Sequence, residues 1–141
     1  MNITYTNSIS AENCNKLRNS AGWPQMHNKQ IEIGLSNSTF IVVAMDNDII
    51  VGMARIISDG GYVYFIVDVI VLPEYQRKGI GKTMMKMIMD FIDRKLEDGH
   101  CIQIDLLAAR GKEKFYEEFG FIRRPNDVFG CGMTQRIRNT T

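Results

Sequence analysis

A strand, a glycine loop and a helix follow one another in the middle of this chain, and that order constrains its fold more than any other feature. The extended apolar run Phe65-Ile66-Val67-Asp68-Val69-Ile70-Val71-Leu72 comes first, and an amphipathic run from Ile80 to Leu96 comes last. Between them stands Gln76-Arg77-Lys78-Gly79-Ile80-Gly81-Lys82-Thr83. Glycines let backbone N–H groups approach a ligand with no Cβ in the way. The start of the helix adds unpaired N–H donors and the positive end of its dipole. A phosphate-bearing ligand suits such a place.

Three loop patterns compete for these letters. A nucleotide loop of the form G-x-x-x-x-G-K-[ST] matches at Gly81-Lys82-Thr83, but its first glycine falls on Gln76. A dinucleotide fingerprint, G-x-G-x-x-G, fits Gly79 and Gly81 and then meets Met84. The pattern Q/R-x-x-G-x-G/A is matched in full by Gln76, Gly79 and Gly81. A plain strand-to-helix turn is the bland alternative to all three.

The chain has 141 residues, which fits one domain spanning 1–141 with a core that needs no staples. Its formal net charge of +1, from 17 basic and 16 acidic residues, gives no ground for broad attraction to nucleic acid or membrane. Cys14, Cys101 and Cys131 are odd in number and widely spaced, so neither a zinc site nor a disulfide framework is expected. Free thiols, no signal-peptide pattern at Met1-Asn2-Ile3-Thr4-Tyr5 and no membrane-length apolar run give a cytoplasmic reading.

Periodicity and breakers give the remaining elements. Strands are expected at 3–6, 39–44, 49–57, 62–72 and 101–107, and short final ones at 121–122 and 133–137. Helices are expected over 10–20 with Ser10 as N-cap, over 28–35, from Ile80 to Leu96, and over 111–119 ended by Gly120. Met84, Met85, Met87 and Met89 read as flexible core filler. The order is β-α-α-β-β-β-α-β-α-β-β. Tight turns make the middle strands antiparallel, and the helical crossover makes 62–72 and 101–107 parallel. The expected fold class is α/β with a mixed sheet and helices on its faces.

This order resembles the acetyl-CoA-dependent N-acetyltransferase (GNAT) superfamily over nearly the whole chain. The segment Lys114-Phe115-Tyr116-Glu117-Glu118-Phe119-Gly120-Phe121 is similar to that superfamily's "FYEKxGF" stretch, and it follows the loop with one strand between. The resemblance implies an acyltransferase that moves acetyl from acetyl-CoA to a primary amine in a ternary complex, with no metal. It implies that the backbone of Val69, Ile70 and Val71 pairs with the pantetheine arm, as an added half-strand would. It implies that Arg77, Lys78, Gly79, Ile80, Gly81 and Lys82 cradle the pyrophosphate. An N–H near Val71 would polarise the thioester carbonyl.

Tyr116 is the implied general acid, set against a core aromatic by helix spacing alone. Two carboxylates in apolar strands, Asp68 and Asp105, are candidates for the base. Each could equally be bonded to a helix end or a loop, and a water chain or no dedicated base stays open. The acceptor pocket would draw on Trp23-Pro24-Gln25, on 124–127 and on 129–133, with Trp23 and Cys131 as substrate contacts. No acidic cluster singles out a polyamine, and no basic cluster is visible for an aminoglycoside phosphate. His27 and His100 are poor catalytic candidates.

A small-molecule amine is the expected partner, nucleic acid and membrane are not, and a homodimer is left open because no interface signature is visible. Two other readings stand beside the enzyme. One is a non-catalytic acyl-CoA-binding sensor of the same fold, and the other is a nucleotide binder suggested by Gly81-Lys82-Thr83.

Overall fold

The computed structural model describes residues 1–139. Their elements are β1 (Ile3–Thr6), α1 (Ala11–Ser20), α2 (Asn28–Ser36), β2 (Phe40–Asp46), β3 (Ile49–Ser58), β4 (Val63–Val71), a 3-10 turn (Pro73–Tyr75), α3 (Ile80–Asp93), β5 (Gln103–Leu106) and α4 (Glu113–Glu117). Residues 1–106 form one compact unit, and the chain from Leu107 onward forms a second.

In the first unit the sheet runs β1-β2-β3-β4-β5, antiparallel except for the parallel pair β4–β5. Both expectations about strand direction hold. The helix α1 begins where Ser10 Oγ accepts the Asn13 N–H at 3.1 Å, as its N-cap role requires. His27 caps α2 in the same way, its Nδ1 accepting the Lys29 N–H at 3.2 Å.

The two sheet faces are read from neighbours in β3. Met53 clusters with Cys14 and Leu17 of α1. A Cβ on Gly52 would meet the Met84 side chain of α3 at 3.2 Å. Side chains alternate along a strand, so α1 and α3 cover opposite faces. Met84, Met85 and Ile88 are fully buried under the α3 face, while Met87 and Met89 are half-buried. Phe40 of β2 stacks on Phe91 of α3 with ring centroids 4.4 Å apart.

The strand β4 is not regular. Its pairing with β3 slips by one residue, from Arg55↔Val67 to Met53↔Ile70. The residue at the slip is Asp68, with φ of 53°, in the left-handed region. This is a β-bulge, which bends its strand and adds twist. Asp tolerates that conformation better than a branched apolar residue does.

In the second unit α4 is a single short helix, and Gly120 follows it with φ of 89°. The strands expected at 121–122 and 133–137 do not form among the described residues. Local hydrogen bonds take their place. Asn126 Oδ1 accepts from the Val128 and Phe129 N–H groups at 2.8 and 2.9 Å, and the Asn126 N–H donates to the Phe129 carbonyl at 2.9 Å. Arg124 Nε donates to the Gly130 carbonyl at 2.7 Å, and its guanidinium lies 4.9 Å from the Phe129 ring centroid. A loop closed on itself this way leaves Met133 and Ile137 exposed.

Candidate active site

The parallel pairing of β5 to β4 covers only Val63 to Ile66. Beyond it β4 bulges at Asp68 and runs on through Val69, Ile70 and Val71. On the β5 side these three residues have no strand partner among the described residues. An extended chain could add itself to such an edge by main-chain hydrogen bonds.

The loop that follows is tied back to this strand. Gln76 Nε2 donates to the Val71 carbonyl at 3.0 Å. Arg77 and Gly79 then take positive φ, 61° and 82°. Gly79 is the N-cap of α3 and has no side chain to fill the helix end. The first bond of α3 runs from the Thr83 N–H to the Gly79 carbonyl at 3.0 Å, so the N–H groups just ahead of Thr83 are not used by the helix. No acidic residue stands in the first turn, and Arg77, Lys78 and Lys82 are exposed around it. The expected phosphate-cradling residues, 77–82, thus stand in the loop and first turn of α3 that follow the open strand edge.

Asp68 sits at the bulge between two arginines. Its Oδ1 accepts from Arg18 Nη1 at 3.0 Å and its Oδ2 from Arg55 Nε at 2.7 Å, with all three side chains largely buried. Arg55 Nη1 also donates to the Gly34 carbonyl and to Ser38 Oγ at 3.3 and 3.1 Å. Arg18 reaches the Pro24 carbonyl and lies 5.5 Å from the Trp23 ring centroid. Trp23, expected to touch substrate, is half-buried and packs against the α1 core. The fold brings Arg18 of α1 and Arg55 of β3 onto one carboxylate.

Asp105 lies on β5, paired in register with Phe65. Its neighbour Ile104 lines a cavity under α3 with Ile102, Met89 and Ile92, so Asp105 faces the α1 side of the sheet. Its Oδ2 accepts from Gln103 Nε2 at 2.9 Å, and among the described residues Oδ1 has no hydrogen-bond partner.

In the second unit Tyr116 is 8% exposed, ringed by Phe115 at 5.0 Å and Phe121 at 6.3 Å in edge-on contacts. Burial pushes its phenol up to about 12. The hydroxyl makes no hydrogen bond among the described residues, yet no sealed polar side-chain atom among them lacks a partner, so it reaches the surface. Cys131 is exposed. Among the described residues no group of His, Cys, Asp and Glu is placed to hold a metal, and no helix is long and apolar enough to cross a membrane.

Comparison with known proteins gives this geometry a family. Residues 5–134 match the Acetyltransferase (GNAT) domain family. An uncharacterised N-acetyltransferase of Porphyra purpurea is 31% identical over 132 residues, covering 91% of this chain and 74% of that protein. A probable acetyltransferase of unknown function from meticillin-resistant Staphylococcus aureus superposes with a TM-score of 0.84 at 32% identity, covering 95% of this chain and all of the other. A GNAT-family acetyltransferase of Streptococcus pneumoniae gives 0.73 at 29% identity, with 98% of each chain covered. Strand order, open edge, glycine loop and these likenesses agree: the chain belongs to the GNAT acetyltransferase family and is an acyltransferase.

Proposed function

We propose that residues 1–141 act as one N-acetyltransferase domain that moves an acetyl group from acetyl-CoA to a primary amine of a small acceptor, by direct attack in a ternary complex. The observation that carries this is the run of N–H donors from Gly79 to Lys82, unpaired among the described residues, beside the open edge at Val69–Val71. Together they fit both the pyrophosphate and the amide-bearing arm of a CoA thioester. When bound, acetyl-CoA supplies the activated acyl group.

The chain's own residues do the rest. Backbone groups of Val69, Ile70 and Val71 align the arm, and a donor near Val71 polarises the acyl oxygen. Arg77, Lys78 and Lys82 add charge to the backbone cradle formed with Gly79, Ile80 and Gly81. Asp105, with one carboxylate oxygen free among the described residues, takes the proton released when the amine attacks. Asp68, with both oxygens engaged by arginines, positions rather than accepts. Tyr116 donates a hydrogen bond to the departing sulfur. A phenol near 12 is about 3.5 units above an ordinary thiol near 8.5, so complete proton transfer from it is uphill. Trp23 and Cys131 contact the acceptor. Three free cysteines suit a reducing compartment, read as cytoplasmic.

Thermal unfolding with excess acetyl-CoA, and with Mg-ATP as control, tests the cofactor. Ligand at 100 times its dissociation constant adds about 2.7 kcal/mol, several degrees for a chain of this size. A shift with ATP alone would overturn the reading. Binding of acetyl-CoA with no CoA release on any amine would favour the sensor.

A further inference from the structure

Resting on that reading, we propose that the acceptor carries an anionic group, carboxylate or phosphate, which docks against Arg55 Nη2 in the cavity beside the β4 bulge.

The cavity has a volume of about 190 Å³ and lies under α1 and α2, with Arg18, Arg55 and Asp68 in its wall. The remaining lining residues, Cys14, Met26, Gln30, Ile31, Gly34 and Leu35, carry no formal charge. Burial pushes the Cys14 thiol up, which keeps it neutral. Two guanidinium groups therefore share one carboxylate, and one positive charge is left over among side chains only 11% and 16% exposed. A buried charge is costly unless it is paired. Arg55 also has an unused donor. Its Nε and Nη1 are bonded to Asp68, Gly34 and Ser38, but its Nη2 bonds to nothing among the described residues. Arginine presents a planar fork suited to carboxylate or phosphate.

Gly34 keeps this corner open. A Cβ there would stand 3.8 Å from Arg55 Nη2, so a larger side chain would crowd the free fork.

Placement matches the chemistry. Asp68 immediately precedes Val69–Val71, where the acyl carbonyl would lie. At about 3.3 Å per residue, Val71 is roughly 10 Å along the strand from the arginine pair. The acceptor's amine and anion then stand within about 10 Å of each other.

The anion site is tested first without turnover. Wild type and Arg55→Lys are titrated with sodium phosphate and, separately, with acetate, at constant ionic strength, and thermal unfolding is followed. Arg55→Lys keeps a cation for Asp68 and removes the fork, so it folds where a neutral replacement could fail. Saturable stabilisation by one anion is expected, weakened about 10- to 100-fold in the variant. Which anion acts separates a phosphorylated acceptor from a carboxylated one. No stabilisation by either, or equal stabilisation of both proteins, overturns the site.

Turnover then uses matched amines, glycine against glycinamide and phosphoethanolamine against ethanolamine. The anionic member is expected to have the lower KM. Arg55→Lys should erase that difference and leave the acetyl-CoA KM alone. Turnover with equal kcat/KM within each pair sinks the proposal and spares the acetyltransferase reading. No turnover of any amine, with anion binding intact, does the reverse.

Discussion

Gln76 holds the end of β4 by donating its side-chain amide to the Val71 carbonyl, 3.0 Å away. The loop that would grip a pyrophosphate is thus fastened to the strand edge that would align the arm. Replacing Gln76 by Ala should cost little stability, about 1 kcal/mol or less, because the bond is exposed. Its effect should appear as weaker acetyl-CoA binding, a few-fold by calorimetry, with kcat at saturation unchanged.

Gly79 tests conformation rather than space. A Cβ there would meet nothing within 4 Å, but φ is 82°. Gly79→Ala should therefore lose about 1–2 kcal/mol from the left-handed geometry alone, and acetyl-CoA affinity should fall with it. Asn, which tolerates this region, should be milder than Ala, and Val worse. An order of unfolding midpoints that followed side-chain volume instead would point to a clash.

The Tyr116 phenol gives a pH signature. Its folded value, about 12, lies above the ordinary 10, so its contribution to stability is fully present below pH 10. It is lost as pH rises through about 12, by roughly 2–3 kcal/mol. Denaturant titrations of wild type and Tyr116→Phe should converge or cross in that window, the Phe variant lacking the fall. On acetyl transfer, Tyr116→Phe should lower kcat at neutral pH.

Asp68 and Asp105 should separate by what their loss does. Asp68→Ala leaves two buried guanidinium groups without a carboxylate and should destabilise by about 3–5 kcal/mol. Asp105→Asn sits near the surface and should leave the unfolding midpoint close to wild type. As the proton acceptor it should cut kcat about 10²- to 10⁴-fold. An Asp105→Asn enzyme with wild-type kcat would hand the role to water.

Thiol titration should find two reactive groups in the native protein and three after denaturation. Cys101 and Cys131 are exposed, whereas Cys14 is buried at 1% exposure and its thiol is pushed up by desolvation, then by Asp68.

Much of the site was legible because it is local. Gln76, Gly79 and Gly81 lie within six letters, and Ile80, Met84, Ile88 and Ile92 repeat at helical spacing. The arginine pair was not legible. Arg18 and Arg55 meet only because α1 packs on the β3–β4 face, and neither stands in a basic run. The C-terminal strands were expected from apolar letters at Phe121-Ile122 and 133–137, and such letters do not reveal that Asn126 closes a loop by bonding its own neighbours.

The slip at Asp68 also inverts a parity. Before it Val67 shares a face with Arg55, and after it Ile70 shares a face with Met53, two residues along on the same side of β3. Ile66 and Ile70, four apart and therefore equivalent in an unbroken strand, point to opposite faces, Ile66 opposite Ile56 and Ile70 into the α1 cluster. The strand works as two half-strands written in opposite phase, with one residue as the comma. Deleting that single letter would leave each half facing as it does now in one regular strand, whereas keeping it without the bulge would turn one half inside out.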